Sequence, residues 1–262
     1  MNSDYLPLSL NQVLASLAMI ALAAILARLN RSLLERQYLI GAARSFIQLW
    51  LMGYFLLWLF QSNQPIYLAL TLELMIIAGA YTSVKRQEKF SSHTFLALWL
   101  ALHASALTIG GYLFWVVLQV PHPLKTPHLF LPLMGMVIGN SANGAALIVH
   151  RLRGELESRR GEIETALALG ASPRQALEPY TAAAMRNALI PSINSMMLMG
   201  IVQLPGIMTG QLISGILPEK AVRYQIVVVY MLAGAVALAC HLTVRWEARS
   251  FFTRRWALTL DA

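Results

Sequence analysis

The chain has 262 residues, of which 57% are hydrophobic and 12% charged, with a formal net charge of +8 at pH 7. A soluble domain carries about 25% charged residues, so too little charge is present to solvate a globular surface; at about 20 residues per spanning helix, the length holds some six to eight membrane spans and no separate catalytic domain. The positive charge does not mark a nucleic-acid partner, because Lys and Arg sit in short clusters between apolar runs, and the lone Cys240 rules out a disulfide framework.

Seven apolar segments are predicted, at about 8–27, 38–60, 66–84, 95–118, 131–149, 189–203 and 221–242. They are continuous rather than alternating, and helices satisfy their own backbone groups in lipid, so the expected fold is an all-α, polytopic helical bundle of about seven spans. It is expected to form one transmembrane domain over residues 1–262, embedded in lipid. A cleavable signal peptide is not expected, since Asp4 precedes the first run and basic residues follow it. Arg28, Arg31 and Arg36 follow the first segment, Lys85, Arg86 and Lys89 the third, Arg151, Arg153, Arg159, Arg160, Arg174 and Arg186 the fifth, and Arg245, Arg249, Arg254 and Arg255 the seventh. The opposite side carries Lys125, Lys220 and Arg223. The positive-inside rule then puts the N-terminus outside and the C-terminus in the cytoplasm.

Two ionisable residues fall inside spans: Arg44 in the second and Glu73 near the middle of the third. A charge at that depth costs about 2.5–3.5 kcal/mol on insertion scales and needs a partner. Arg44 is the expected partner of Glu73, which reads either as a structural ion pair or as a cation or proton site. His103 faces either the bundle or lipid. His122 and His128 flank Lys125 in a Pro-rich external loop with no standard metal-site spacing, and His93 and His150 lie at cytoplasmic borders where they need no special explanation. Asn140, Ser141 and Asn143, among Gly135, Gly139 and Gly144 of the fifth segment, either line a polar path or make interhelical hydrogen bonds. Asn194 and Ser195 carry the same alternatives.

The largest cytoplasmic piece spans about 150–187. Glu162 and Glu164 are placed in the first turn of a helix, where negative charge suits the dipole. That helix ends at Gly170, a left-handed cap, and Ser172 with Pro173 opens the next. The result is a tight helix–turn–helix corner. Farther on, Leu204 to Gly210 contains Pro205, Gly206, Met208 and Gly210. Pro205 removes a backbone donor and the glycines permit unusual dihedrals, so a helix broken at membrane depth, or a Pro hinge, is expected there.

The run Glu164-Thr165-Ala166-Leu167-Ala168-Leu169-Gly170-Ala171-Ser172-Pro173 resembles the cytoplasmic loop of ABC transporter permeases, with Thr165 in place of the first Ala of the usual Glu-Ala-Ala pattern. Ala188-Leu189-Ile190-Pro191, Gly200, Leu204-Pro205-Gly206-Ile207-Met208-Thr209-Gly210, Ala221-Val222-Arg223-Tyr224-Gln225, Gly139-Asn140, and the pair Arg44 and Gln48 extend the resemblance to the FetB-type permeases. These are bacterial iron-export subunits related to plant aluminium-tolerance permeases. The family pattern has an acidic residue where this chain has Asn194 and often a Lys near Met197.

The resemblance implies a multi-pass protein of the bacterial inner membrane, exporting iron or another metal cation in metal homeostasis and oxidative-stress resistance. It implies a coupling element at Glu164, Ala166, Gly170, Ala171, Ser172 and Pro173, docking on a separate cytoplasmic ABC ATPase. It further implies two copies of this subunit with two of the ATPase. The path or gate would draw on Asn140, Asn143, Asn194, Leu204, Pro205, Gly206, Met208 and Gly210, with Glu73, Asn194 and Met197 as candidate metal ligands. A thioether-rich lining would suit softer metals than ferric iron. The sequence contains no P-loop pattern, so no cofactor is expected on this chain, and ATP with Mg would belong to the partner; the chain is not expected to be an enzyme. The alternatives are an ABC permease for a different small solute and a non-transporting seven-span scaffold.

Overall fold

The computed structural model describes residues 9–62, 64–87, 91–252 and 258. Asp4, Leu8, Lys89, Arg254 and Arg255, used above for orientation and span limits, lie outside them. The described elements are helical apart from two isolated bridges. Two compact units are formed, one by the residues up to Gln64 with Ile213–Gly215, the other by Pro65–Leu212 with Ile216 onward.

In the first unit, α1 (Leu10–Ala15) starts at a capping box between Ser9 and Gln12, and α2 (Leu17–Leu29) continues it after Ser16. A turn with left-handed Arg31 and Leu33 reverses the chain into α3 (Glu35–Ser62), which packs against α2. Arg44 is an exposed residue of α3.

The second unit contains α4 (Pro65–Lys85), α5 (Ser92–Gly111, running into a π-helical stretch Tyr112–Val117) and α6 (Pro127–Ser158). It continues with α7 (Arg160–Ala168), α8 (Pro173–Leu198), α9 (Gly206–Ile213) and α10 (Pro218–Ser250). α6 is the hub, packed against α4, α5, α8 and α10. Its sequence explains this: Met134, Val137, Ile138, Ser141, Ala145, Ile148, Leu152 and Leu156 are all buried, giving an apolar or small surface wide enough for several neighbours. Gly144 brings α6 close to α10; a Cβ there would sit 2.7 Å from Val236 Cγ1 and 3.1 Å from Cys240 Sγ.

Short polar side chains tie these helices together. Ser83 on α4 donates to Ala142 O of α6 at 3.0 Å, and Gln87 to Ala146 O at 3.1 Å. Ser105 on α5 donates to Ala235 O of α10 at 2.9 Å and meets Ser141 of α6 at 3.2 Å. Ser141 therefore falls on the interhelical side of the two readings its sequence left open.

Among the described residues, 6 helices or helix pairs are long and apolar enough to cross a membrane: Leu10–Leu29, Glu35–Ser62, Pro65–Lys85, Ser92–Val117, Pro127–Ser158 and Pro218–Ser250. This is one fewer than the seven segments expected. The predicted segment at 189–203 is divided between the end of α8 and an irregular stretch that follows it. The two prolines inside α8, Pro179 and Pro191, and the polar first half of that helix dilute its apolar character.

Candidate translocation and coupling site

The corner between α7 and α8 is built as its residues predict. Ala171 N–H donates to Ala166 O and Gly170 N–H to Leu167 O, both at 3.0 Å. With Gly170 at φ 93°, these are the paired bonds of a Schellman cap. Ser172 then caps α8, its side chain accepting from Gln175 N–H while the Gln175 side chain accepts from Ser172 N–H, and Pro173 occupies the first turn. Leu169, at the tip, is 84% exposed, whereas Ile163 on the same short helix is fully buried.

The corner is therefore anchored on one side and bare on the other. Ala166 and Leu167 pack on a core of Ile148, Leu152, Ala176, Leu177 and Val244. Glu164 pairs with Arg160 on the exposed face, and lies past the first turn of α7, which holds Glu162 alone of the two. Glu162 accepts from Arg159 at 2.7 Å and from the Tyr180 hydroxyl of α8 at 3.0 Å. The Arg159 bond, then the Tyr180 bond, hold the Glu162 carboxyl below the usual carboxylate range. Burial, then the same carboxylate, push the Tyr180 phenol up.

A second feature lies between α6, α8 and α10. A cavity of about 260 Å³ is lined by Asn140, Asn143, Ser192, Ser195, Met196 and Met199, with Pro191 and Val229 among its apolar walls. The amide of Asn140 also donates to its own helix at Met136 O, and Asn143 accepts from the Arg86 guanidinium at 2.9 Å. Both asparagines thus serve the cavity, Asn143 with a cation at its side chain. Asn194 does not line it and is exposed on α8.

At Met199 helix α8 stops. Val202 N–H and Gln203 N–H both donate to Leu198 O, Gly200 N–H donates to Gln203 O, and Gly200 takes φ 84°. The break is thus centred on residues 199–205. Leu204 and Pro205 lie in it, while Gly206, Met208 and Gly210 are helical residues of α9. The left-handed glycine is Gly200, not Gly206 or Gly210 as expected. Gly200, one of the residues that carry the resemblance, takes the backbone role expected of Gly206 and Gly210. By helix rise, Asn140 lies roughly 20 Å into α6 and Val229 roughly 16 Å into α10, so the end of α8 that shares their cavity is level with the interiors of its neighbours.

Glu73 is satisfied within its own unit. Its carboxylate accepts from Trp99 Nε1 at 3.0 Å and meets His103 Nε2 at 2.7 Å, both on α5. These partners are spaced one helical turn apart, whereas Arg44, the partner expected from sequence, belongs to the other unit. His103 Nδ1 lies 3.0 Å from Trp99 O, which cannot donate, so Nδ1 carries a proton. Glu73 thus engages α5, while Asn194 and Met197 are exposed on α8, a helix packed on α6 and α10.

His93 was missed by sequence reasoning. Its Nε2 accepts from Trp246 Nε1 at 3.0 Å, and its Nδ1 stands 3.8 Å from Glu247, a carboxylate 1% exposed on α10. Arg153 of α6 lies 3.8 Å from the other Glu247 oxygen and donates to Thr94 at 3.0 Å. The cluster joins the ends of α5, α6 and α10. Its one legible signal was Glu247, an acid set between Arg245 and Arg249.

The sequence profile described as "Uncharacterised protein family (UPF0014)" matches residues 10–252. The chain belongs to the UPF0014 family. Similar relatives include a UPF0014 membrane protein of Synechocystis, 36% identical over 225 residues and 86% of each chain. Protein ALUMINUM SENSITIVE 3 of Arabidopsis thaliana is 31% identical over 93% of this chain and 88% of its own. The probable iron export permease protein FetB of Escherichia coli is 33% identical over 90% of this chain and 91% of its own. No solved structure matches. The resemblance drawn from short motifs is thus upheld across nearly the full UPF0014 chain, and the protein is a multi-pass membrane protein.

Proposed function

We propose that this UPF0014 protein is the membrane subunit of an ABC transporter that exports iron or another metal cation from the cytoplasm of a bacterial cell, driven by a separate ATPase. The observation that carries the reading is the α7–α8 corner. A Schellman cap, a capping box and the buried Ile163 make it rigid, and the bare Leu169 tip offers an apolar knob to a soluble partner. A rigid corner fixed to the α6–α8–α10 core can pass a nucleotide-driven movement to the spans. The similarity to the FetB permease supports the cargo class and the direction.

In this reading the N-terminus is outside and the corner cytoplasmic, as the Lys and Arg distribution indicates. The end of α8 then lies near mid-depth of a hydrocarbon layer about 30 Å thick, where irregular backbone is tolerated against protein or a water-filled cavity. The neighbouring cavity is the proposed path. Its amides, hydroxyls and two thioethers favour, as a second reading, a softer metal or a neutral solute over a hard trivalent ion.

The test is co-expression with a stand-alone ATP-binding protein encoded beside the gene. Cells with the pair should accumulate less metal than cells with either part alone, and Leu169→Asp should abolish the difference and release the ATPase on purification while the permease remains in the membrane. Retention of the ATPase and of metal efflux by Leu169→Asp would overturn the role of the corner.

A further inference from the structure

A second cleft, of about 800 Å³, lies between the first half of α8 and the last turns of α10. We propose that it binds the phosphate headgroup of an anionic phospholipid from the cytoplasmic leaflet. The argument rests on membrane embedding and orientation, and is independent of the cargo.

The α10 wall presents His241, Arg245 and Arg249, spaced one turn apart along one face. The α8 wall adds Arg174, and Glu178 is the one acidic lining residue. Three guanidiniums thus face one carboxylate, leaving an excess of positive charge. None of the three arginines, and not Glu178, has an ion-pair partner within 4.0 Å among the described residues. Glu247, near in sequence to Arg245 and Arg249, is turned inward to Arg153 and His93 and does not line the cleft.

Depth identifies the anion. The apolar run of α10 ends at Leu242, so Arg245 and Arg249 stand about 5 and 10 Å beyond it by helix rise. A headgroup layer is about 5–8 Å thick on each side of the hydrocarbon, so Arg245 falls within it and Arg249 stands at its aqueous edge. A guanidinium fork matches a phosphate in a bidentate way. The floor of the cleft is apolar, with buried Leu177 and Val244, and Met185 and His241 line it, His241 where the apolar run of α10 ends. An acyl-linked phosphate fits a basic rim over an apolar floor at this depth better than a free anion does. Basic sites between helices on the cytoplasmic side recognise anionic headgroups in this manner.

The test uses the full-length protein, purified in detergent and stripped of lipid. Phosphatidylglycerol and phosphatidylcholine with identical acyl chains are titrated in parallel, with bound lipid counted by native mass spectrometry and thermal stability followed alongside. Inorganic phosphate and glycerol 3-phosphate form two further arms. Phosphatidylglycerol should bind about tenfold or more tightly than phosphatidylcholine and raise Tm. R245Q with R249Q should reduce the preference to within about twofold, and R245K with R249K should keep part of it. A wild-type preference below twofold would overturn the proposal, and this comparison needs no variant to fold. A preference unchanged in the glutamine variant would place the lipid elsewhere, and equal stabilisation by phosphate alone would make the cleft an anion site without a lipid.

Discussion

Glu162 and Tyr180 make the tie between α7 and α8 sensitive to pH in a defined sense. The Glu162 carboxyl is depressed in the folded chain, so its contribution is present above the ordinary carboxylate value and is lost as pH falls through the lower folded value. The Tyr180 phenol is raised, so its contribution is present below its ordinary value and lost as pH climbs through the higher folded one. The protection of the α7 amides, with their exchange corrected for its intrinsic pH dependence, should therefore be flat between about pH 5 and 9 and fall outside that window. Tyr180→Phe should remove the alkaline limb and shift the acid limb upward. Gly144 provides a second residue-scale prediction. Its added Cβ meets the Cγ1 methyl of Val236 at 2.7 Å, on a short β-branched side chain that has little room to turn away. Gly144→Ala should cost about 1–3 kcal/mol, read as a lower Tm, and Val236→Ala in the same chain should recover most of that loss.

The elements divide according to how local their signals are. The α7–α8 corner was legible because a Gly cap, a Ser N-cap and a Pro at the first turn act within a few residues. The long apolar runs were equally legible, since lipid admits few alternatives. The break after α8 was anticipated but displaced: Pro205 and the glycines that follow it drew attention downstream, while the chain turns at Gly200, wrapping two N–H groups onto Leu198 O. Proline inside a pattern marks an interruption, but the residue that adopts positive φ depends on the geometry of the turn. The partners of Glu73 were not legible, because Trp99 and His103 come from another helix, whose rotation no single-sequence pattern fixes. The π-helical stretch at Tyr112–Val117 shifts that register further along α5 and was equally silent. If the turn at Gly200 terminates α8 as described, Gly200→Ala should cost roughly 1–2 kcal/mol by forcing an L-residue into the left-handed region. Gly206→Ala, in a helix and with open space at its Cβ position, should be near neutral or stabilising. Thermal unfolding of the two variants distinguishes the structure from the sequence expectation directly.

At the scale of the whole molecule, the exposed surface of the broken region argues for a second copy. Met197 is 72% exposed, Ile201 90%, Val202 73% and Leu204 58%, beside backbone that leaves the helical pattern. In lipid the apolar side chains alone would be comfortable, but the irregular backbone would not, because its polar groups have no solvent there. Covering it with protein resolves the conflict, and a symmetric pair of chains would place two such breaks face to face along one path. The single Cys240 is buried, which makes the test clean. In a Cys240→Ala background, Ile201→Cys or Val202→Cys should give an oxidant-dependent dimer in native membranes, while a cysteine at exposed Leu169, in the α7–α8 corner before the opposite end of α8, should not. If the proposed ATP-driven function holds, co-expression of the ATPase should alter the efficiency of the cross-link at Ile201, since alternating access would move the two breaks relative to one another. A cross-link absent at both positions would leave the broken backbone to a water-filled cavity within one copy, and the two-copy path would fall.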